Sequence, residues 1–593
     1  MRSAMFLRKT ERRKDGKTHL YWSVVENRRL DSGRVVQRHV LYLGEINSSQ
    51  AEAWRRAIEV FDQDEGRSRT LALFPEDRCE ASDDDVIRLR LNEMRLRRPR
   101  QWGACWLAGV LWRELRLDRF WAERLPRSRK GTRWDQVLQV LATYRLIAPG
   151  SEWRLHRQWF LDSAMADLLG GDFGLAEAHK LYACHDRLIA HKQALFSHLT
   201  ERWRDLFNAS FDVLLYDLTS TYFEVNASDL PEGSKRRHGY SRDKRPDCPQ
   251  LVIALVVTPE GLPLAYEVLP GNTADSKTLR SFLEKIESQY GKARRVWVMD
   301  RGVPTEEVLA EMRAADPPVQ YLVGTPKGRL TRLEKQLVDK PWRKAREGVE
   351  VKLLAQGDEL YVFAQSADRV SKERAMRRRQ LKWLWARLKK LAQMDISREE
   401  RLMKLGAARS KAPSAWRLVK ADVDKTGALA YALDRDKLRK VRRREGRYLL
   451  RTNLTGDDPA TLWQYYIQLV AVEEAFRNLK GDLAIRPVFH RDEKRIEAHI
   501  FIAFLAYCLQ ITLTRRLHSL APGLTARSAL AKFAAVQMID VHLPTTDGRE
   551  IILTRTTEPE PDLRLLIDRL KLQLPAQPPP KIAAAALPPQ PLL

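Results

Sequence analysis

Two aspartates occupy positions from which a carboxylate could do chemistry. Asp217 follows the apolar run FDVLLYD, and Asp300 ends the run RVWVMD. Both runs have the β-branched and aromatic composition typical of strands, so each carboxylate is predicted to lie at the end of a strand of one sheet. Carboxylates on a rigid sheet edge suit a hard cation such as Mg²⁺. Taken alone, either aspartate could equally be a turn former.

A third carboxylate lies in a predicted helix that begins near Asp458. Tyr466, Glu473 and Lys480 are seven residues apart, and each is therefore offset from the last by only about 20° on a helix. A lysine on that face could neutralise a phosphate while the glutamate holds a metal ion. Three carboxylates that gather two Mg²⁺ ions are the arrangement that phosphodiester cleavage requires. Glu474 is a rival for the glutamate, but it points about 100° away from this face.

The charge balance indicates what the partner is. The chain of 593 residues carries 104 Lys and Arg against 77 Asp and Glu, a net charge of +27, with 44% hydrophobic residues. This composition excludes a basic disordered tail protein and favours a polyanion, nucleic acid before an anionic membrane surface. The longest apolar run, residues 500–513, is too short to span a bilayer and predicts a buried helix, so no membrane partner is expected. Five widely spaced cysteines indicate neither a disulfide framework nor a CxxC zinc site.

Several segments together resemble the bacterial insertion-sequence transposases of the DDE type, the cut-and-paste group with a Tyr/Arg/Glu/Lys signature. They are LLYDLTSTYFE, HGYSRDKRPDCPQLVIALVVTPEGLPLAYEVLPGNTADSKTL, VWVMDRGV and YIQLVAVEEAFRNLKGDLAIRPVFH. The resemblance implies a mixed α/β multidomain chain: a ribonuclease-H-like catalytic core, a β-rich insertion domain and a helical N-terminal DNA-binding region. The separation of the aspartates is 300 − 217 = 83 residues, and that of Asp300 from Glu473 is 473 − 300 = 173, the gap in which the insertion falls.

The resemblance also implies site residues, which are assigned by their positions in those motifs. Asp217, Asp300 and Glu473 match the catalytic, metal-binding carboxylates, and Tyr466 and Lys480 match the signature Tyr and Lys. The signature Arg is replaced by Leu469, and Arg477 is a hypothetical substitute for it. The remaining predicted DNA contacts are Arg301, directly after the second aspartate, and the loop residues His238, Tyr240 and Arg242.

Changes of composition along the chain predict its domains. The expected parts are an accessory module with short strands and a charged helical stretch (1–100), a helical DNA-binding domain (101–208), the first part of the catalytic core (209–326), the insertion domain (327–445), the second part of the core with the C-terminal region (446–574), and a disordered Pro/Ala-rich tail (575–593).

Further basic and aromatic residues are expected to contact DNA. Positive charge is concentrated at 235–245, at 371–390, where nine basic residues face one acidic residue, and at 437–447. Candidates for stacking on a flipped base are Trp342, Trp383, Trp385 and Trp416, and the sequence does not choose among them. The helical domain is expected to present Arg145, Arg154, Arg157 and Lys192 to DNA. His490 and His499 are interpreted as surface or packing residues.

The resemblance implies a reaction and its partners. The expected activity is DNA cleavage at the ends of an insertion sequence and strand transfer into target DNA, with two Mg²⁺ ions for which Mn²⁺ can substitute. The partners implied are double-stranded DNA with terminal inverted repeats, target DNA and a second copy of the chain in a homodimer. A cytoplasmic, nucleoid-associated bacterial location fits. Two alternatives stay open, a metal-dependent DNA nuclease on the same core and a catalytically inactive DNA-binding protein.

Overall fold

The computed structural model describes most of the chain beyond residue 86. The described ranges are 87–225, 230–243, 245–274, 278–290, 295–300, 303–325, 340–456, 458–486 and 490–583, with the single residues 333, 336 and 488 and, before residue 87, the strands at 5–14, 17–29, 35–45, 58–62 and 67–71. These residues form two compact units, one from Met1–Val110, Trp153–Ala176 and Arg516–Leu593, the other from Leu111–Glu152 and Glu177–Arg515. The domain boundaries expected from composition stay predictions.

Among the described residues, the first unit contains three sheets. An antiparallel sheet is formed by β1 (Met5–Lys14), β2 (Lys17–Arg29) and β3 (Val35–Glu45), and a second sheet by β4 (Ile58–Asp62), β5 (Arg67–Leu71) and β6 (Ile87–Leu89). The third joins β7 (Arg95–Gln101) to three C-terminal strands, β19 (Gln537–Pro544), β20 (Glu550–Thr556) and β21 (Lys581–Ala583). The turn at Asp547 and Gly548 joins β19 to β20 as predicted.

Two sequence predictions fail in this unit. The charged stretch ending near Arg100 is the strand β7 rather than a helix, because it pairs with β19 and its last arginine is buried against Asp540. Residues 575–583, expected to be disordered, lie along the sheet, because β21 pairs with β20 and Arg555 donates to the carbonyl of Pro578. The rest of that tail lies outside the described residues.

A nine-stranded sheet forms the centre of the second unit. Its strands are β8 (Val213–Tyr222), β9 (Gln250–Val257), β10 (Pro263–Pro270), β11 (Val296–Met299), β12 (Gln320–Gly324), β13 (Arg343–Arg346), β14 (Val349–Gln356), β15 (Glu359–Ser366) and β18 (Arg447–Thr452). They lie in the order β10-β9-β8-β11-β12-β18-β15-β14-β13. β8, β9 and β10 are antiparallel neighbours, whereas β8, β11 and β12 run parallel. This arrangement of the first five strands is the predicted ribonuclease-H-like core.

The described residues also form helices. The α-helices are Gly103–Glu114, Leu117–Arg124, Trp134–Ile147, Glu152–Arg154, Phe160–Asp162, Met165–Leu168, Ala178–Leu188, Lys192–Phe207, Leu279–Tyr290, Glu306–Ala314, Ala367–Gln393, Arg398–Lys411, Pro413–Trp416, Arg435–Arg443, Pro459–Ile467, Leu469–Lys480, Glu493–Leu520, Ala526–Ala534 and Pro561–Arg569. Leu155–Trp159 is π-helical, and Leu91–Glu93, Phe173–Ala176 and Ile189–His191 are single 3₁₀ turns.

The predicted insertion is mixed rather than β-rich. Its first strands, β13, β14 and β15, extend the core sheet beyond β18. The remainder consists of the helices Ala367–Gln393, Arg398–Lys411, Pro413–Trp416 and Arg435–Arg443 with a two-stranded ribbon of β16 (Val419–Val423) and β17 (Leu429–Leu433). Leu384, Leu388 and Leu405 belong to a separate small core shared by the first three of these helices and the ribbon. The helices form because the basic run places its leucines on one face.

The longest apolar run is buried, as predicted. It lies within the helix Glu493–Leu520, which is long and apolar enough by composition to cross a membrane, but 94% of its most apolar 18-residue window is buried inside the protein. Cys508 in this helix is free, as are the other cysteines in the described part of the chain, Cys105, Cys184 and Cys248.

Candidate active site

Asp217 and Asp300 lie on neighbouring parallel strands. Tyr216 of β8 pairs with Met299 of β11, and each aspartate is the next residue. β11 ends at Met299, so Asp300 directly follows its strand, one residue beyond the predicted end, whereas β8 continues to Tyr222, so the prediction that Asp217 ends a strand is wrong. The reason is that β9 pairs with β8 beyond the point at which β11 stops.

The two aspartates share a face of the sheet. Successive residues of a strand point to opposite faces. The Tyr216 ring packs against Phe282 and Trp297, and its hydroxyl donates to the hydroxyl of Thr278 at 2.7 Å, so the even-numbered residues of β8 face the helix Leu279–Tyr290. Asp217 therefore faces the opposite side, where the helix Leu469–Lys480 packs on β8.

Glu473 lies in that helix, which we call the glutamate helix (Leu469–Lys480). The predicted single helix is divided at Gln468, so Tyr466 belongs to the preceding helix, Pro459–Ile467. That helix begins at Asp458, whose carboxylate accepts from the amides of Ala460 and Thr461. The prediction of one continuous face from Tyr466 to Lys480 is therefore wrong at its first residue.

The electrostatics show that the three carboxylates are close together. The pKa of Asp217 is raised to about 7, chiefly by burial and also by the negative charges of Asp300 and Glu473, against the lowering effects of the Leu218 amide and of Arg242. Glu473 also contributes to raising the pKa of Tyr448, whose ring lies 5.6 Å from that of Tyr466. The sheet and the glutamate helix therefore bring the three predicted carboxylates to one place.

Such a group of carboxylates fits a hard divalent cation. Each offers only oxygen ligands, and among the described residues neither Asp217 nor Glu473 forms an ion pair. The negative charges of neighbouring carboxylates repel one another, and a cation that enters between them removes this repulsion. The donor set is therefore one that a divalent metal ion would complete.

Lys480 does not stand alone beside the carboxylates. Its ammonium donates to both oxygens of Asp243, at 2.9 and 3.2 Å, and Arg486 contacts the same carboxylate at 2.9 Å. Burial lowers the pKa of Lys480, although Asp243 opposes the change. Sequence reasoning missed Asp243 and Arg486, although Asp243 lies within the predicted basic loop and Arg486 lies in the motif that contains Glu473.

Arg242, rather than Arg477, stands near the carboxylates. The positive charge of Arg242 lowers the pKa values of both Asp217 and Lys480. Arg477 is exposed and donates to Glu474 at 2.8 Å, while Leu469 is buried. The hypothesis that Arg477 substitutes for the signature Arg therefore finds no support in these contacts.

The loop before β9 is fixed at its base and exposed at its tip. Arg237 and Gln250 exchange backbone hydrogen bonds, and the Gln250 amide donates to the carbonyl of Tyr240 at 2.9 Å. His238 is exposed, and the side chain of Tyr240 is 82% exposed. Both predicted contacts are thus accessible. Arg301 lies outside the described residues.

Other predicted DNA contacts have different outcomes. Arg145 and Lys192 are buried, and Lys192 pairs with Glu267 and Glu497 at 3.1 Å each, so these two were wrongly assigned to a DNA-facing surface. Arg154 and Arg157 are exposed. His490 and His499 are both buried, which excludes the surface role that was one of the two interpretations.

Comparisons with known proteins agree with this geometry. The family model of the transposase DDE domain matches residues 220–509, a range that contains Asp300 and Glu473 and begins three residues after Asp217. The model of the IS1634 family transposase N-terminal domain matches residues 7–70. A piggyBac transposase in a synaptic complex with hairpin DNA is 8% identical over 72% of this chain and 79% of its own, with a TM-score of 0.35, too low to support an argument. The comparison with curated proteins gives no match.

Three findings define a DDE enzyme of nucleic-acid cleavage and transposition: the order of the strands, the three carboxylates brought together, and the match to the transposase DDE domain. The match of residues 7–70 to the IS1634 family transposase N-terminal domain narrows this class to insertion-sequence transposases. The chain is an insertion-sequence DDE transposase, with DNA as its substrate and divalent metal in its chemistry.

Proposed function

We propose that Asp217, Asp300 and Glu473 bind two Mg²⁺ ions and that the protein cuts DNA at the ends of an insertion sequence and joins them to target DNA. The observation that carries this proposal is the adjacency of the two aspartates on the sheet face covered by the glutamate helix. The bound ions would activate the attacking water or 3′-hydroxyl and stabilise the leaving oxygen, and Mn²⁺ would substitute for Mg²⁺.

The positive side chains beside the carboxylates orient the DNA backbone. Arg242 takes the role of the missing signature Arg, because its charge acts on both Asp217 and Lys480. Asp243 positions Lys480 and Arg486 by pairing with both. These cations hold the scissile phosphate in place, and Tyr466 contacts the DNA from the preceding helix.

Exposed aromatic residues of the insertion would hold a displaced base. Trp385 lines a cavity of about 890 Å³ together with Lys382, Tyr431 and Arg435, and its ring lies 5.0 Å from that of Tyr431. This combination of an open π-surface and two cations favours Trp385 over Trp383, which is stacked under the ammonium of Lys411.

A cleavage and joining assay tests the assignment. Purified protein is incubated with Mg²⁺, an end-bearing DNA fragment and a target plasmid. Asp217→Ala, Asp300→Ala and Glu473→Ala should each lower cleavage by more than about 100-fold while DNA binding is kept, because loss of even an outer residue of a metal site costs 10- to 100-fold. Glu474→Ala is the matched control, since Glu474 pairs with Arg477.

The outcomes separate the alternatives. Released element and joined product support the proposal, cleavage without joining favours a nuclease, and binding alone favours an inactive DNA-binding protein. Normal cutting by Glu473→Ala would overturn the residue assignment.

Two DNA ends must meet in one complex, so we also propose a homodimer that binds terminal inverted repeats and works on the bacterial nucleoid in the cytoplasm. Mass measurement of the protein with and without end-bearing DNA tests the dimer. A complex of one chain with one DNA end that is still competent for joining would contradict it.

A further inference from the structure

Away from the three carboxylates, four buried side chains converge on one point of the second unit. Glu152 begins a short helix, His185 lies in the helix Ala178–Leu188, His490 precedes the helix Glu493–Leu520 and His499 lies within it. The four residues are between 1% and 8% exposed. One carboxylate oxygen, Oε1 of Glu152, lies 3.3 Å from Nε2 of His490, 3.4 Å from Nε2 of His185 and 3.7 Å from Nδ1 of His499.

The outer nitrogens of two rings fix where their protons are. Nδ1 of His185 lies 2.9 Å from the carbonyl of Leu181, and Nε2 of His499 lies 3.0 Å from the carbonyl of Ile485. A carbonyl only accepts, so in the neutral ring the proton is on the outer nitrogen and the inner nitrogen carries a lone pair. Lone pairs therefore point at a carboxylate, and Nε2 of His185 has no hydrogen-bond partner among the described residues.

The spacing fits a tetrahedral ion. Zinc lies about 2.0–2.1 Å from imidazole nitrogens, so adjacent ligand atoms of a tetrahedral site are about 3.3–3.4 Å apart. Oε1 of Glu152 lies 3.3 Å from Nε2 of His490 and 3.7 Å from Nδ1 of His499, close to this value, and the ligand atoms of these three residues all lie within 4.8 Å of one another. Ring N–H groups held by backbone carbonyls are the usual outer support of metal-binding histidines.

Arg145 also faces the cluster. Its Nη2 lies 3.3 Å from Nδ1 of His499 and 3.9 Å from Oε1 of Glu152, and its Nη1 donates to the carbonyl of Ala484 at 3.0 Å. The guanidinium competes with a metal for the lone pair of His499.

We propose that Glu152, His490 and His499 form a zinc site, because their ligand atoms all lie within 4.8 Å of one another. His185 lies 3.4 Å from the same carboxylate oxygen but outside this group. Two imidazoles and one carboxylate in a buried position select Zn²⁺ over Mg²⁺. The ion would fasten the segment that follows the glutamate helix, where His490 lies, to the helices that carry Glu152 and His499. The site is separate from the Mg²⁺ carboxylates and does not depend on the proposed function.

Metal analysis of the full chain tests the site. The protein is loaded with Zn²⁺ in the presence of excess Mg²⁺, dialysed, and measured by mass spectrometry for metal and by thermal unfolding. We expect equimolar zinc, a lower Tm after removal by a chelator, recovery of Tm on adding Zn²⁺, and the visible absorption of a tetrahedral site when Co²⁺ replaces Zn²⁺.

Variants locate the ion. His490→Gln and His499→Gln should lose zinc and the chelator effect, and His490→Cys should keep zinc, because a thiolate is also a zinc ligand. His179→Gln, at a residue whose side chain is 75% exposed, is the control. Asp217→Ala should keep its zinc, which separates this site from the Mg²⁺ carboxylates. Absence of zinc in the loaded wild-type chain, or a Tm that neither chelator nor Zn²⁺ changes, would overturn the proposal and leave a polar network around Arg145.

Discussion

Tyr216 of β8 and Met299 of β11 are paired on two parallel strands, and the residues that directly follow them are Asp217 and Asp300. Adjacent strands are about 4.8 Å apart, so this register alone places the two carboxylates side by side. The glutamate helix adds Glu473 from above the same face. The resulting repulsion among like charges leads to the first prediction.

Asp217→Asn should stabilise the metal-free protein. A carboxyl whose pKa rises to about 7 on folding binds more protons folded than unfolded between about pH 4 and 7, so stability falls as pH rises through this range. The variant removes that loss. Its Tm advantage over the wild type, measured with a chelator present, should therefore be larger at pH 8 than at pH 5. An equal advantage at both values would show that ionisation is not the cause.

Mg²⁺ should reverse the order of stability of the wild-type chain and Asp217→Asn. The ion raises the Tm of the wild-type chain at pH 8 because it binds the folded state. Asp217→Asn has lost one ligand, so its shift should be smaller. The same titration with Glu474→Ala, whose glutamate is paired with Arg477, should give the wild-type shift.

Arg242→Ala should lower cleavage by about 100-fold, the cost of losing one group that stabilises charge in a reaction. The reason is that Arg242 acts on Asp217 and Lys480, whereas Arg477 pairs with Glu474. Arg477→Ala is the comparison and should cleave normally. The reverse result, a defect in Arg477→Ala alone, would restore Arg477 as the substitute for the signature Arg.

Charge on the helix Ala367–Gln393 should set the affinity for DNA. Arg378, Arg379 and Lys382 are exposed on it. Changing all three to Ala should weaken binding of any DNA sequence and reduce the slope of log affinity against log salt by about one for each phosphate that is no longer neutralised. Arg378→Lys with Arg379→Lys and Lys382→Arg keeps the charge and should bind as the wild type. An unchanged salt slope in the neutral variant would exclude this helix from the DNA surface.

The buried ion pair of the first unit should be essential to its stability. Arg100 is 1% exposed and donates to both oxygens of Asp540 at 3.0 Å. Asp540→Ala leaves the guanidinium buried without this partner and should cost about 3–5 kcal/mol of the free energy of unfolding. Asp547→Ala, which removes a more exposed partner of Arg549, should change little. Denaturant unfolding of both variants gives the comparison.

Local patterns were sufficient for part of the site. The runs before Asp217 and Asp300 predicted strands because β-branched and aromatic residues favour pleated, buried backbone. The seven-residue spacing from Glu473 to Lys480 lies within one helix and holds in the structure. The basic run at 371–390 predicted a helix, and the helix Ala367–Gln393 contains it.

Pairing between distant segments decided the rest. Asp217 lies inside a strand because β9 extends the pairing, and the stretch before Arg100 is a strand because β19, more than 400 residues later, pairs with it. Lys192 is buried because Glu267 and Glu497 meet it there.

By itself, the sequence determined the kinds of chemistry that the chain can do: hard carboxylate ligands, a basic partner surface and the helices and strands that carry them. Only the tertiary structure decided which side chains meet. It placed Asp243 on Lys480, Arg242 near Asp217, and three histidines around Glu152. The physical reason is that composition and periodicity act within one element, whereas charge pairing, burial and metal geometry depend on contacts between elements far apart in the chain.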